Sequence, residues 1–76
     1  MKQTLIDIVT PIVDSPDEVS VTERISGDTS ILELKVAKDD MGKVIGRQGK
    51  VAQSIRMLMR AAAARRQKRV IVEIVK

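Results

Sequence analysis

Gly42-Lys43-Val44-Ile45-Gly46-Arg47-Gln48-Gly49-Lys50-Val51 stands near the middle of a 76-residue chain and decides how the rest is read. Two glycines bracket an Arg-Gln pair, an apolar dipeptide precedes them, and a long helical pattern follows. Glycines remove side chains where another backbone must pass close, and the helix that follows offers unpaired amide hydrogens and the positive end of its dipole. Arg47 adds a point charge, with Lys43 and Lys50 close by in sequence. The stretch suits contact with a phosphate backbone.

Two better-known phosphate motifs both fail at Val44. A Walker A loop needs glycine five positions before the Gly49-Lys50 pair and a hydroxyl residue after it, where this chain has Val44 and Val51. A dinucleotide fingerprint needs glycine two residues before Gly46, which is again Val44. What remains is a Gly-x-x-Gly turn between two helices.

Outward from this turn, the helix after it runs over about residues 50 to 66. Before it, Asp39 or Asp40 is placed to cap a short helix reaching Ile45, its carboxylate accepting orphan amide hydrogens. Leu5, Ile6, Val9, Ile12 and Val13 recur at helical spacing and predict a first helix over about residues 2 to 14, with Pro11 as a kink or restart. From Glu18 the period changes to two. Val19, Val21, Glu23 and Ile25 alternate with polar residues, Gly27-Asp28-Thr29 makes a short connection, and Leu32, Leu34 and Val36 mark one face of a second strand over 30 to 36. A third strand covers 69 to 76, with Val70, Val72 and Ile74 on one side. Two strands joined by a helical crossover are expected to be parallel. The expectation is an α+β domain of order α-β-β-α-α-β, a three-stranded mixed sheet with three helices on one face, spanning residues 1 to 76 as one unit.

Composition narrows the chemistry. A chain this short buries only about 60% of its unfolded surface, which leaves one modest core and little room for a deep catalytic cavity. There is no Cys and no His, so disulfides, thiolate nucleophiles, imidazole bases and the usual zinc ligand sets are excluded. Asp39 and Asp40 are adjacent carboxylates to be tested as a metal or acid-base pair, but neighbours at a helix start point apart and capping accounts for one. We therefore expect no enzyme, metal or cofactor. The first 13 residues are too short and too interrupted for a membrane span and lack a cleavage pattern, so the expectation is a cytoplasmic protein away from membranes.

Charge is split along the chain. Residues 1 to 40 hold nine carboxylates against four bases, a net −5, while residues 41 to 76 hold ten bases against Glu73, a net +9. That polarity favours an anionic partner for one face.

The run from Val44 to Lys50 resembles the signature loop of the KH domain, a single-stranded RNA and DNA binding module whose Gly-x-x-Gly loop clamps about four nucleotides. The order of elements is similar to the type II KH arrangement over essentially the whole chain, and length and charge resemble the small bacterial single-KH, KhpA-like proteins. The resemblance implies that Gly46, Arg47, Gln48 and Gly49 contact the RNA backbone, flanked by Lys43 and Lys50, while Val44, Ile45, Val51 and the strand from Leu32 to Val36 line a base-accepting groove. It also implies an RNA chaperone or post-transcriptional regulator tied to cell shape and division, a homodimer, and pairing with a larger Jag-family, KhpB-like RNA-binding protein. The alternative is a protein interaction module of the same fold with little or no RNA binding.

Two further features are read directly from the residues. There is no Phe, Tyr or Trp, so bases have no aromatic stacking platform and must rest on aliphatic side chains. On the long helix, Val51, Ala52, Ile55, Met59, Ala62 and Ala63 form a core-facing arc, but the apolar surface continues through Leu58 and Ala61 to Met57, about 240° against the roughly 100° a surface helix needs. Ser54, Met57, Leu58 and Ala61, with Arg65 beside them, are the expected dimer or partner seam. The cluster Arg65-Arg66-Gln67-Lys68-Arg69 complements the negative end of the helix dipole and is also placed to extend a nucleic-acid track.

Overall fold

A computed structural model describes residues 1–75; Lys76, expected at the end of the third strand, lies outside the described residues. The elements are α1 (Lys2–Val9), β1 (Ser20–Ser26), β2 (Thr29–Lys35), α2 (Met41–Ile45), α3 (Lys50–Arg65) and β3 (Arg69–Val75). Single 3-10 turns occupy Pro16–Glu18, Lys38–Asp40 and Arg47–Gly49. This is the α-β-β-α-α-β order of a type II KH domain, with the sheet ordered β1-β2-β3.

The first helix is shorter than the periodicity predicts. It stops at Val9, and Thr10 to Ile12 form a turn. Pro11 has no amide hydrogen, so the helical ladder ends with Thr10 N donating to Ile6 O and tightens to Ile12 N on Val9 O at 2.9 Å. Val13 is still buried, so the apolar spacing beyond Pro11 reflects packing and not helix.

β1 and β2 pair antiparallel from Ser20↔Lys35 to Ser26↔Thr29, joined by Gly27 and Asp28 alone, so Thr29 belongs to the strand and not to the turn. Gly27, at φ +62°, takes the position such two-residue turns reserve for glycine. β3 then pairs parallel with β2, Leu32 lying opposite Val72 and Leu34 opposite Ile74.

One face of the sheet meets the helices. Leu5 and Val9 of α1, Leu32 and Leu34 of β2, and Ile55 and Met59 of α3 are all essentially inaccessible and form one core. The opposite face carries Arg24 and Glu73, which approach to 3.9 Å and remain exposed. Burying a Leu or Ile side chain is worth roughly 1.5–3 kcal/mol. In a domain this small, a handful of such residues on three helices and a sheet decides whether the Gly-x-x-Gly turn is held at all.

α3 ends in a Schellman motif. Lys68 N donates to Ala63 O and Gln67 N to Ala64 O, with Gln67 at φ +57°. The turn sends the chain straight into β3, which keeps the α3–β3 crossover short.

Candidate nucleic-acid interface

α2 and α3 meet at the glycine pair through a compact turn. Gly46 N donates to Gly42 O at 2.8 Å, closing α2, and Gly49 N donates to Gly46 O at 3.2 Å. Three of four residues between the helices have positive φ: Gly46 (+74°), Gln48 (+58°) and Gly49 (+75°). Gly46 combines that φ with ψ 175°, a region open essentially to glycine alone. Any Cβ at Gly46 also overlaps Val51, at 2.4 Å from Cγ2 and 2.9 Å from the backbone N. Backbone geometry thus requires glycine at position 46 and favours it at position 49, where a Cβ meets open space. Gln48 is a different matter, since a non-glycine residue held in the left-handed region costs about 1–2 kcal/mol. Nothing in the sequence marks it. Such local strain concentrates at binding sites.

Arg47, Gln48 and Lys50 are exposed around this turn, and neither Arg47 nor Lys50 has a salt-bridge partner among the described residues. Lys43 behaves differently. Its ammonium donates to the Asp14 carboxylate and lies 3.9 Å from Asp40, tying α2 to the loop after α1. The hydrogen bond to Asp14 raises the Lys43 pKa above its ordinary 10.5; desolvation opposes the rise, and the charges of Asp14 and Asp40 add to it. Lys43 is therefore engaged in a clasp with the loop after α1.

The capping expectation is corrected at Asp40. It occupies the N-cap position of α2 but makes no side-chain cap there. Its carboxylate, 2% exposed, instead accepts Asp14 N at 3.1 Å and Ser15 N at 3.0 Å. Those two amides follow the Pro11 turn and have no helix to serve them, which is a stronger demand than that of an exposed helix start.

Next to Ile45 a groove of about 610 Å³ opens between the end of β2 and α2, lined by Val36, Ala37, Met41 and Ile45, with Glu18, Lys35 and Lys38 at its rim. Ile45 is 39% exposed and Val36 reaches the groove from the strand end. Three expected lining residues are elsewhere. Val44, Leu32 and Leu34 are fully buried in the core, because a helix as short as α2 must turn one side chain inward to hold on, and alternate strand residues face the helices. Val51 is half-buried and packs on that core and against Gly46. Ala37, Lys38 and Met41 were not identified from sequence; their signal was only that they bridge the β2 end and α2.

On α3, Ser54, Met57, Leu58 and Ala61 all lie on the exposed side, with Met57 at 66% and Leu58 at 55%. The Ser54 hydroxyl donates back to Lys50 O at 3.0 Å, leaving that strip largely apolar. Among the described residues no helix is long and apolar enough to cross a membrane, and no three metal-ligating side chains gather.

Comparison with known proteins agrees with this architecture. A family model described as "KhpA/KhpB, KH domain" matches residues 2–74. The chain is 55% identical over 75 residues to "RNA-binding protein KhpA" of Clostridium acetobutylicum, covering 99% of this chain and 100% of that one. It is 56% identical over 68 residues to the protein of that name from Caldanaerobacter subterraneus subsp. tengcongensis, covering 90% and 91%, and 47% identical over 75 residues to that of Clostridium perfringens, covering 99% and 100%. The family is one of KH-domain proteins and not of enzymes. With the match running from Lys2 to Ile74, the chain belongs to the KhpA/KhpB family of KH domains.

Proposed function

We propose that this chain binds single-stranded RNA, gripping the sugar-phosphate backbone with Gly46-Arg47-Gln48-Gly49 and resting unpaired bases on the apolar groove beside Ile45. The observation that carries the reading is the run of positive φ at Gly46, Gln48 and Gly49 directly next to that groove. It leaves a tight, side-chain-poor surface for a phosphate chain, with Arg47 and Lys50 supplying charge and Gln48 a side-chain amide. The relatives' name, RNA-binding protein, points the same way.

Without aromatic rings the groove lacks the roughly 1–3 kcal/mol per base that stacking contributes. One copy grips weakly, releases readily and depends on salt, which suits a cytoplasmic RNA chaperone or post-transcriptional regulator. The exposed Ser54, Met57, Leu58 and Ala61 strip is the proposed seam for a second copy, or for a KhpB-like partner of the kind the family's name pairs with KhpA. Two loops on one RNA raise weak affinity through multivalency.

The test is Arg47→Asp with Gln48→Asp in the full chain, measured against short single-stranded RNA. Lost binding with unchanged circular dichroism is expected. Undiminished affinity with the fold intact overturns the RNA reading and leaves an interaction module of KH fold.

A further inference from the structure

The α3–β3 flank, away from the groove beside Ile45, carries a second basic surface. Two adjoining hollows run there. One of about 420 Å³ is lined by Arg60, Lys68, Arg69 and the start of β3; the other, of about 250 Å³, is lined by Arg56, Arg60 and Val70 to Val72. Arg60 belongs to both, so Arg56, Arg60, Lys68 and Arg69 form one strip. None of the four has a carboxylate partner among the described residues. Glu73 of β3 pairs instead with Arg24 on the open sheet face, and Asp28 meets Arg69 through its backbone carbonyl, which accepts Arg69 N, while its carboxylate accepts the Thr29 hydroxyl.

Helix dipole complementation accounts for a cation in the last turn of α3. It does not account for Arg56 and Arg60, which lie in the middle of the helix. Arg56 has a partial structural role, its Nε donating to Val72 O at 3.2 Å on the edge of β3 that no strand covers. That bond leaves four guanidinium hydrogens free and blocks a backbone acceptor that an added peptide strand needs. A peptide extending the sheet is thereby disfavoured, and a chain of phosphates, which asks only for donors and charge, is suited.

We propose that Arg56, Arg60, Lys68 and Arg69 form a second phosphodiester-binding strip that takes the RNA continuing past the Gly-x-x-Gly loop. The proposal rests on the RNA reading above. At about 1.5 Å per residue, Arg56 and Arg60 lie about 9 and 15 Å along the axis of α3 from Lys50, with exposed Gln53 on the same stripe. A strand leaving the loop therefore meets the strip within a few nucleotides. The site reads charge and spacing, and it engages only RNA longer than the roughly four nucleotides a KH loop clamps.

The experiment compares RNAs of about five and about twenty nucleotides by fluorescence anisotropy, with the full chain and with Arg60→Ala/Lys68→Ala, over a salt series. Both residues are exposed, and the charge-conserving pair Arg60→Lys/Lys68→Arg serves as a second variant. The alanine pair is expected to leave five-nucleotide binding unchanged, to weaken twenty-nucleotide binding on the order of tenfold, and to lower the salt slope by about 1.4, or 0.7 per lost contact. The charge-conserving pair retains long-RNA affinity. Unchanged long-RNA affinity and slope overturn the strip, as does an acidic peptide of equal charge competing as well as a phosphodiester. If Arg47→Asp/Gln48→Asp leaves five-nucleotide binding intact, the loop reading fails instead, and the strip is still judged by its own arm.

Discussion

Gly46 and Val51 meet so closely across the turn that a methyl group on Gly46 lies 2.4 Å from Val51 Cγ2. Gly49, at φ +75°, has open space around the same position, and Gly42 has both open space and ordinary helical geometry. The three glycines therefore separate three effects. Gly46→Ala combines backbone strain with a clash on a residue that anchors α3, and about 3 kcal/mol or more of lost stability is expected. Gly49→Ala carries strain alone, about 1–2 kcal/mol. Gly42→Ala is expected to stabilise by about 0.5–1 kcal/mol, since alanine replaces glycine within a helix. Urea unfolding of the three variants checks the order, and equal effects at Gly46 and Gly49 contradict the Val51 contact.

Asp40 is expected to matter more for folding than its place in an acidic pair suggests. Asp40→Ala leaves the amides of Asp14 and Ser15 without their acceptor in a part-buried site, and a loss of about 1–3 kcal/mol is expected. Asp14→Ala removes only the exposed partner of Lys43, and a much smaller loss is expected of a solvent-screened pair. Denaturant midpoints compared at constant slope decide it; a larger effect at Asp14 reverses the hierarchy.

Lys43 should leave a signature at high pH. Its folded-state pKa is raised above 10.5 by Asp14, so the stabilisation it contributes is complete below that value and disappears as pH rises through the folded pKa. The melting-temperature difference between the native chain and Lys43→Met is expected to be level at neutral pH and to shrink only above about pH 10.5. A difference that shrinks below pH 9 contradicts the clasp.

Gln67 fills the left-handed position of the Schellman motif at φ +57°, where glycine carries no Cβ penalty. Gln67→Gly is expected to stabilise by about 0.5–1 kcal/mol, the strain relieved being partly offset by greater freedom of the unfolded chain. A rise of a few degrees in melting temperature is the readout, and a fall means Gln67 holds a contact beyond its backbone.

The legible parts of this fold are those written in periodicity. Alternation at Leu32, Leu34 and Val36 and at Val70 and Val72 places both strands on the helices, and the apolar arc of α3 contains Ile55 and Met59, which the core buries. Local polar chemistry was less legible. Asp40 has the right type and position for an N-cap, yet two amides 25 and 26 residues away claim it, a demand visible only after Pro11 has ended α1. Val44 stands beside Ile45 in the loop signature, but one faces the core and the other the groove, because a five-residue helix divides neighbours between its two sides. The left-handed conformation of Gln48 had no sequence signal.

The exposed strip on α3 gives the last prediction. Met57 and Leu58 are more than half exposed on a helix whose core side is already filled by Ala52, Ile55, Met59 and Ala63, so folding one copy gains little from them. Small Ser54 and Ala61 nearby let a second helix approach closely. Leu58→Asp places a charge in the proposed seam while leaving the monomer core untouched, and is expected to halve the mass in sedimentation without changing the unfolding transition at low concentration. Weaker binding to long RNA should accompany it, because a monomer presents one loop instead of two. A native chain that already sediments as a monomer removes the seam as a self-association surface and leaves it to a different partner.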